Sequence, residues 1–358
     1  MVLLPSRFQL VVATAVVTAT VLLVLGLAWL LWFIGEIILV VLIAAILATG
    51  LNPVVEAVER RAWTRRRRRL SRGASVAVVY LGLLAALGLI GSLFVGPVVN
   101  ESREFIERAP ALYARLLQML AEWRQRYPWL PDLTAVLDRL PQEAGALTSY
   151  VGAATGVAFR VFGAVVSTVT VLVLSIYMLL EGADIRAGFL RLFPPAHRAQ
   201  VEPVLRGVGL KFGGWLRGQL VLGFIVGLAA GLGTWILGLP YPFLLGLAAG
   251  VTELVPMIGP VLGAIPAIFI ALFGPPWRLI AVVILFTGIQ QLENNVLVPR
   301  VMKQAVGLSP LLTIVAIMVG AKLMGVLGAL LAVPVTAALQ VIIGEVLQTL
   351  RREKIGTG

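Results

Sequence analysis

Thr252-Glu253-Leu254-Val255-Pro256-Met257-Ile258-Gly259-Pro260 sits in the middle of an apolar stretch that runs from 240 to 272. How this interruption is read decides the fold. As one α-helix, these 33 residues would extend about 50 Å at about 1.5 Å per residue. That is too long for one crossing of a hydrocarbon layer of about 30 Å and too short for two. Pro256 and Pro260 each remove a backbone donor and crowd the preceding turn, so the helix must break there. A second stretch, 309–344, numbers 36 residues and poses the same problem, with Gly320, Gly325 and Gly328 near its middle. The economical reading is two re-entrant helical hairpins. The alternative is two tilted, kinked single helices.

The two stretches resemble each other. Gly238-Leu239-Pro240 opens one and Gly307-Leu308-Ser309 the other. Val261-Leu262-Gly263-Ala264 recurs as Val326-Leu327-Gly328-Ala329, and Pro266 and Pro334 follow in the returning arms. Each stretch follows one apolar span, 219–238 or 279–298. A crossing plus a hairpin that returns to its own side reverses the entry side of the next unit, so duplication yields an inverted repeat, 219–272 and 279–344. Many secondary transporters use that architecture for alternating access. Broken helices expose backbone groups that lipid cannot satisfy, so the breaks belong where protein or water surrounds them. Two hairpin tips near the midplane would make a polar cavity.

The rest of the chain agrees with a lipid solvent. Of its 358 residues 59% are hydrophobic and 13% charged, against about 25% charged in soluble domains. Spans are expected at 10–34, 37–58, 74–99, 161–180, 219–238 and 279–298, each near the ~20 apolar residues that a crossing needs. The first run lacks a small-residue cleavage site, so no cleavable signal is expected. Between the third and fourth spans, Phe105, Ala109, Leu112, Leu116, Leu120 and Trp123 recur at helical spacing. Pro128, Pro131 and Pro141 then break the chain. The expected fold is therefore an all-α polytopic membrane protein of six full spans and two broken re-entrant hairpins in an inverted repeat, with a small helical extracytoplasmic cap. Its parts are three N-terminal spans (1–99, with a basic loop at 59–72), an amphipathic segment (100–160) and a fourth span with a basic arm (161–218). A transport core (219–346) and a tail (347–358) complete it.

Net charge is +12, and the basic residues cluster beside spans. Arg60, Arg61, Arg65 to Arg69 and Arg72 lie between spans two and three, which places that loop in the cytoplasm. Alternation then puts 100–150 outside, where six Arg face seven acids. It returns Arg186, Arg191, Arg198, Arg206, Lys211 and Arg217, then Arg300 and Lys303, then Arg351, Arg352 and Lys354, to the inside. Both termini are cytoplasmic and the membrane is the cytoplasmic (inner) one. The arginine run reads as a topology signal and a contact for anionic membrane lipids, not as a nucleic-acid site. In this cysteine-free chain, a cysteine placed near Ser71 is expected to be shielded from impermeant reagent outside intact cells, and one near Gln125 to label. The reverse pattern would overturn this orientation.

Catalysis is not expected. His197 is the only histidine, so neither a His-based metal site nor a Ser-His-Asp triad is expected. No GxxxxGK[ST] loop occurs, and no cofactor is implied. Trp29, Trp32, Trp215, Trp235 and Trp277 fall near span ends, where an interfacial aromatic belt accounts for them. Asn52-Pro53 and Pro97 read as span ends or kinks.

Two segments carry a family resemblance. Glu253-Leu254-Val255-Pro256-Met257-Ile258-Gly259-Pro260, continuing through Gly263 to Pro266, resembles one signature of the autoinducer-2 exporter family. Gln291-Leu292-Glu293-Asn294-Asn295-Val296-Leu297-Val298-Pro299-Arg300-Val301-Met302-Lys303, then Val306-Gly307-Leu308-Ser309-Pro310, resembles the other. Ser309 stands where many members have His, and Gln304 follows Lys303 where a Gly commonly precedes the Lys. The resemblance implies a membrane transporter that exports an autoinducer-2-like solute, with sodium/proton antiport as the alternative, and a homo-oligomer, a pentamer being the candidate form. A passive channel for a small solute is the competing class from the residues alone.

Ionisable groups at membrane depth cost about 3 kcal/mol or more on insertion scales and are functional candidates by default. Three qualify: Glu253, Glu293 and Lys322. Glu293 lies in Gln290-Gln291-Leu292-Glu293-Asn294-Asn295, whose amides and carboxylate could line a solute or ion path or mark the hydrated end of that span. Glu253 lies 15 residues after Gly238, and Lys322 lies 15 after Gly307. Each precedes its break, Pro256 with Gly259 and Pro260 in one hairpin and Gly325 in the other. The expectation is a Glu253–Lys322 pair between facing tips, acting either as a gate or as a static lock.

Overall fold

A computed structural model describes residues 7–66, 71–126, 154–302 and 307–356. All regular structure among them is helical. Five helices are long and apolar enough to cross a membrane, or six if a bent pair counts as one span. Arg67 to Arg69, the proline-broken part of the expected cap (127–153), Lys303 and Gln304 lie outside the described residues.

In chain order the helices are α1 (Arg7–Phe33), α2 (Gly35–Arg66), α3 (Arg72–Arg126), α4 (Ala154–Leu180) and α5 (Gly182–Arg191). They continue as α6 (Pro195–Ile236), α7 (Pro242–Thr252), α8 (Gly259–Ala271) and α9 (Pro276–Leu292). A π-helical turn (Glu293–Leu297), α10 (Val298–Val301) and α11 (Pro310–Gly356) end the chain. Two expected boundaries disappear. The third span and the amphipathic segment form one helix of 55 residues with Pro97 and Pro110 inside it. The basic arm before the fifth span continues into that span as α6, 42 residues long. Loop-like composition there records a change of solvent along a helix, not an end of the helix.

Asn52 and Pro53 likewise sit inside α2, where the Asn52 amide donates to Glu56 Oε1 at 2.8 Å. Arg72 donates from Nε to the Leu179 carbonyl at 2.6 Å and from Nη2 to Asn52 Oδ1 at 3.3 Å. One guanidinium thus satisfies an orphan carbonyl at the end of α4 and ties α2, α3 and α4 together. Ala48, Val55, Val76, Val79, Tyr80 and Leu179 are buried beneath it.

Both suspect stretches fold back on themselves. The first breaks over 253–258 between α7 and α8. Its arms touch so closely that a Cβ on Gly263 would lie 2.8 Å from Ala249 Cα. The second breaks inside α11 at Met324 and Gly325. There a Cβ on Gly320 would lie 2.3 Å from the Gly328 carbonyl oxygen. Gly325 has φ 62° and ψ −143°, a combination essentially restricted to glycine, so it turns the chain. These arm-to-arm contacts favour the hairpin over the kinked-single-helix alternative in both stretches.

Helix α6 is the spine. Its second half receives the first hairpin antiparallel, with Pro242 beside Gly231 and Gly250 beside Gly223. Its first half receives the returning arm of the second hairpin, with Val341 against Gly207 and Leu331 and Val333 in one cluster with Trp215. The hairpins therefore approach α6 from opposite ends. Val255, in the first break, packs on the cluster of Ile46, Trp215, Ile317 and Ala332. The break of one hairpin thus meets the arms of the other.

Candidate functional site

Glu253 is the first residue past α7, and its backbone N–H still donates to Ala249 O at 3.1 Å. Its side chain is buried at 1% exposure. Two neighbours hold it. Gln219 of α6 donates from Nε2 to the Glu253 carbonyl oxygen, which the broken helix leaves without its usual partner. The carboxyl group of Glu293, 5% exposed, lies beside that of Glu253. Carboxylates only accept, so two buried carboxyl groups this close can hydrogen-bond to each other only when one of them carries a proton.

Glu293 reaches inward because it continues the face of α9 that carries the buried Val282 and Phe286 at helical spacing. It opens the π-helical turn Glu293–Leu297, and such turns are frequent at functional sites. The expected polar patch consequently splits. Glu293 is buried, whereas Gln290, Gln291, Asn294 and Asn295 are exposed with Thr287 on the outside of the helix. Asn295 Nδ2 donates to Gln291 O at 3.0 Å and to Gln291 Oε1 at 2.9 Å.

Several buried polar atoms here lack hydrogen-bond partners among the described residues: Glu253 Oε2, Glu293 Oε2, Gln219 Oε1 and Trp215 Nε1. Each costs about 1–3 kcal/mol if left so. Their concentration at one helix break marks a place that a proton, ion, water or polar solute can complete. No group of three His, Cys, Asp or Glu that could hold a metal is gathered among the described residues.

Lys322 is not part of this cluster. It is exposed on the single chain, and among the described residues it makes no ion pair with Glu253. Equal offsets within two hairpins did not make the two residues neighbours, because the first break packs on the arms of the second hairpin and not on its tip. Pro256 and Pro260 are half-buried and Gly259 is buried, and all three shape the turn. A Cβ on Gly259 would lie 2.2 Å from Thr252 O. Gly325 is exposed, with nothing within 4 Å of where its Cβ would be.

Two members of the cluster were not anticipated. Gln219 is the first residue of the span expected at 219–238, and Trp215 belongs to the expected aromatic belt. Trp215 is instead 3% exposed, while Trp29, Trp235 and Trp277 are exposed at 63%, 66% and 56%. The available signal is the four-residue spacing of Trp215, Gln219, Gly223, Gly227 and Gly231, one helix face with a single amide in it.

A family model described as AI-2E family transporter matches residues 10–348. The chain belongs to that family. It is 29% identical over 329 residues to YueF of Bacillus subtilis, covering 86% of this chain and 84% of the relative. It is 26% identical over 310 residues to YhhT of Escherichia coli K12, again covering 86% and 84%. YrrI of Bacillus subtilis is 39% identical over 150 residues, 42% of each chain. The names of all three point to transport and give no solute. As an AI-2E family chain with five to six candidate spans, the protein is a multi-pass membrane transporter. Both segments that carried the resemblance, around Glu253 and Glu293, lie inside the matched region.

Proposed function

We propose that the chain is a secondary transporter moving a small polar solute or ion across the cytoplasmic membrane, with Glu253, Glu293 and Gln219 as its ion-handling site. The observation that carries this reading is the buried carboxyl pair at the first hairpin break. Two carboxyl groups that share one proton can exchange it for a cation or solute, or release it to one side. That property couples flux to a gradient, and a scaffold has no use for it. Hairpins that approach one helix from opposite ends support alternating access around the site.

The exposed amide stripe of Gln290, Gln291, Asn294 and Asn295 supports a polar solute as cargo. In lipid such a stripe needs water or another subunit against it, and a homo-oligomer in the inner membrane with cytoplasmic termini belongs to the same reading. Export of an autoinducer-2-like solute leads, with sodium/proton antiport beside it.

Reconstitution decides between carrier and channel. With a pH-sensitive dye inside proteoliposomes, an imposed sodium or proton gradient is expected to drive proton movement that an equal gradient in protein-free vesicles does not. Solute flux that ignores both gradients would make the chain a passive channel.

A further inference from the structure

The first hairpin is held at the end opposite its break by a residue from a distant helix. Glu101 of α3 accepts from the Leu244 N–H through Oε2 at 2.7 Å and from the Phe243 N–H through Oε1 at 3.5 Å. These are free donors in the first turn of α7, and a carboxylate there also meets the positive end of the helix dipole. Aromatic contacts flank the cap: Phe94 of α3 meets the Phe243 ring edge-on at 5.9 Å, and Phe105 meets Tyr241 at 5.9 Å. Tyr241 is buried at 4% exposure with φ 65°. A left-handed, non-glycine residue persists only where its surroundings enforce it. Here the surroundings include α3.

Helix α7 buries Leu245 and Ala249 in one core cluster with Val226, Ala230 and Ile270. Its face on α6 is glycine against glycine: a Cβ on Gly246 would lie 2.8 Å from Gly227 O, and one on Gly250 would lie 2.8 Å from Gly223 O. Such an interface brings backbones close, and the glycines themselves insert no side-chain knob between ridges. Eleven residues, about 16 Å of helix, separate the capped entry from Glu253, so a shift at the entry is carried to the carboxyl pair.

We infer that Glu101 is a latch: by capping the entry of α7 it holds the first hairpin in register on α6 and keeps the Glu253–Glu293 pair closed at the far end. Helix α3 continues to Arg126, so whatever moves its outer part would act on the pair through this latch. Glu101 is a positioning residue, and the inference rests on the carboxyl pair being the ion-handling site.

The test uses the full-length protein in liposomes and dicyclohexylcarbodiimide, which attacks protonated carboxyl groups in apolar surroundings, with labelling of Glu253 followed by mass spectrometry. Glu101→Ala is expected to speed labelling at least about tenfold, the factor that loss of one charge-assisted hydrogen bond puts on a two-state equilibrium. Glu101→Gln, which keeps one acceptor oxygen but neither the second nor the charge, should fall between the wild-type and Glu101→Ala rates. In a Phe94→Cys, Phe243→Cys, Glu101→Ala protein, a short thiol-reversible cross-linker should restore the slow rate, and reductant should undo the restoration. Labelling of Glu101→Ala at or below the wild-type rate, or a faster rate that cross-linking leaves unchanged, overturns the latch. If Glu253 and Glu293 take no label in any variant, the carboxyl-pair reading fails on its own. Hydrogen exchange across 242–258 then decides the latch, with unchanged exchange in Glu101→Ala counting against it.

Discussion

Glu253→Gln is expected to stop gradient-driven flux while leaving the fold intact. Gln has nearly the same shape and can still hydrogen-bond to Glu293, but it neither carries an exchangeable proton nor offers a charge to a cation. The loss should be roughly a hundredfold or more, the scale of contribution made by a positioned proton carrier. Glu293→Gln should behave alike. The double variant should lose little beyond either single one, since groups that act as a unit are not additive. Stability should hold or rise, because replacing one member of a buried acidic pair by a neutral isostere removes a desolvation cost. Lys322→Met should keep wild-type flux, Lys322 being exposed and apart from the pair. The measurement is dye-reported flux in proteoliposomes beside thermal unfolding of the same preparations. Wild-type flux with unchanged gradient dependence in Glu253→Gln would remove the site.

The parts of this protein that could be read in its sequence are those governed by local backbone chemistry. Pro256 and Pro260 cannot continue a helix, and the chain breaks over 253–258. Gly325 turns the second hairpin as its place in the stretch suggested. Burial was legible too: a carboxylate within an apolar run must be buried or solvated, and Glu253 and Glu293 are both buried. Pairing was not legible. Lys322 was the attractive partner for Glu253 by charge and by equal offset, yet the neighbour is a second acid. That outcome depends on how α9 lies beside the first hairpin, which no periodicity of apolar residues encodes. Gln219 escaped notice for a related reason. On a hydropathy scale one amide at the head of an apolar run marks a boundary, and only the packing of α7 on α6 turns it into the partner of a broken carbonyl.

Boundaries failed where solvent, not structure, changes along the helix. The basic first part of α6 and the C-terminal part of α3 are polar enough to read as separate segments, but both continue their helices. Pro97 and Pro110 are accommodated inside α3, as prolines are where neighbouring groups or water satisfy the freed carbonyls.

Gly320→Val and Gly328→Val are expected to be the most destabilising single changes in the second hairpin. Each glycine faces backbone of the opposite arm: a Cβ on Gly320 would lie 2.3 Å from Gly328 O, and one on Gly328 would lie 2.0 Å from Gly320 O. Backbone cannot swing aside as a side-chain end can, so the arms must part. Forced overpacking of this kind costs about 3 kcal/mol, and parting the arms would also strip Ile317, Ala329 and Ala332 from the cluster around Trp215. Two controls separate sterics from other effects. A Cβ on Gly288 would meet nothing within 4 Å, so Gly288→Ala should be neutral or slightly stabilising through helix propensity. Gly325 also has open space, but its left-handed φ makes Gly325→Ala cost about 1–3 kcal/mol through the backbone alone. The readout is thermal unfolding of detergent-solubilised protein, with elution profiles to confirm that each variant stays dispersed. The expected order of melting temperatures is Gly288→Ala at or above wild type, then Gly325→Ala, then the two valine variants lowest. Valine variants that melt with Gly288→Ala would mean that the arms are not in contact, and 309–344 would then be one kinked crossing instead of a hairpin.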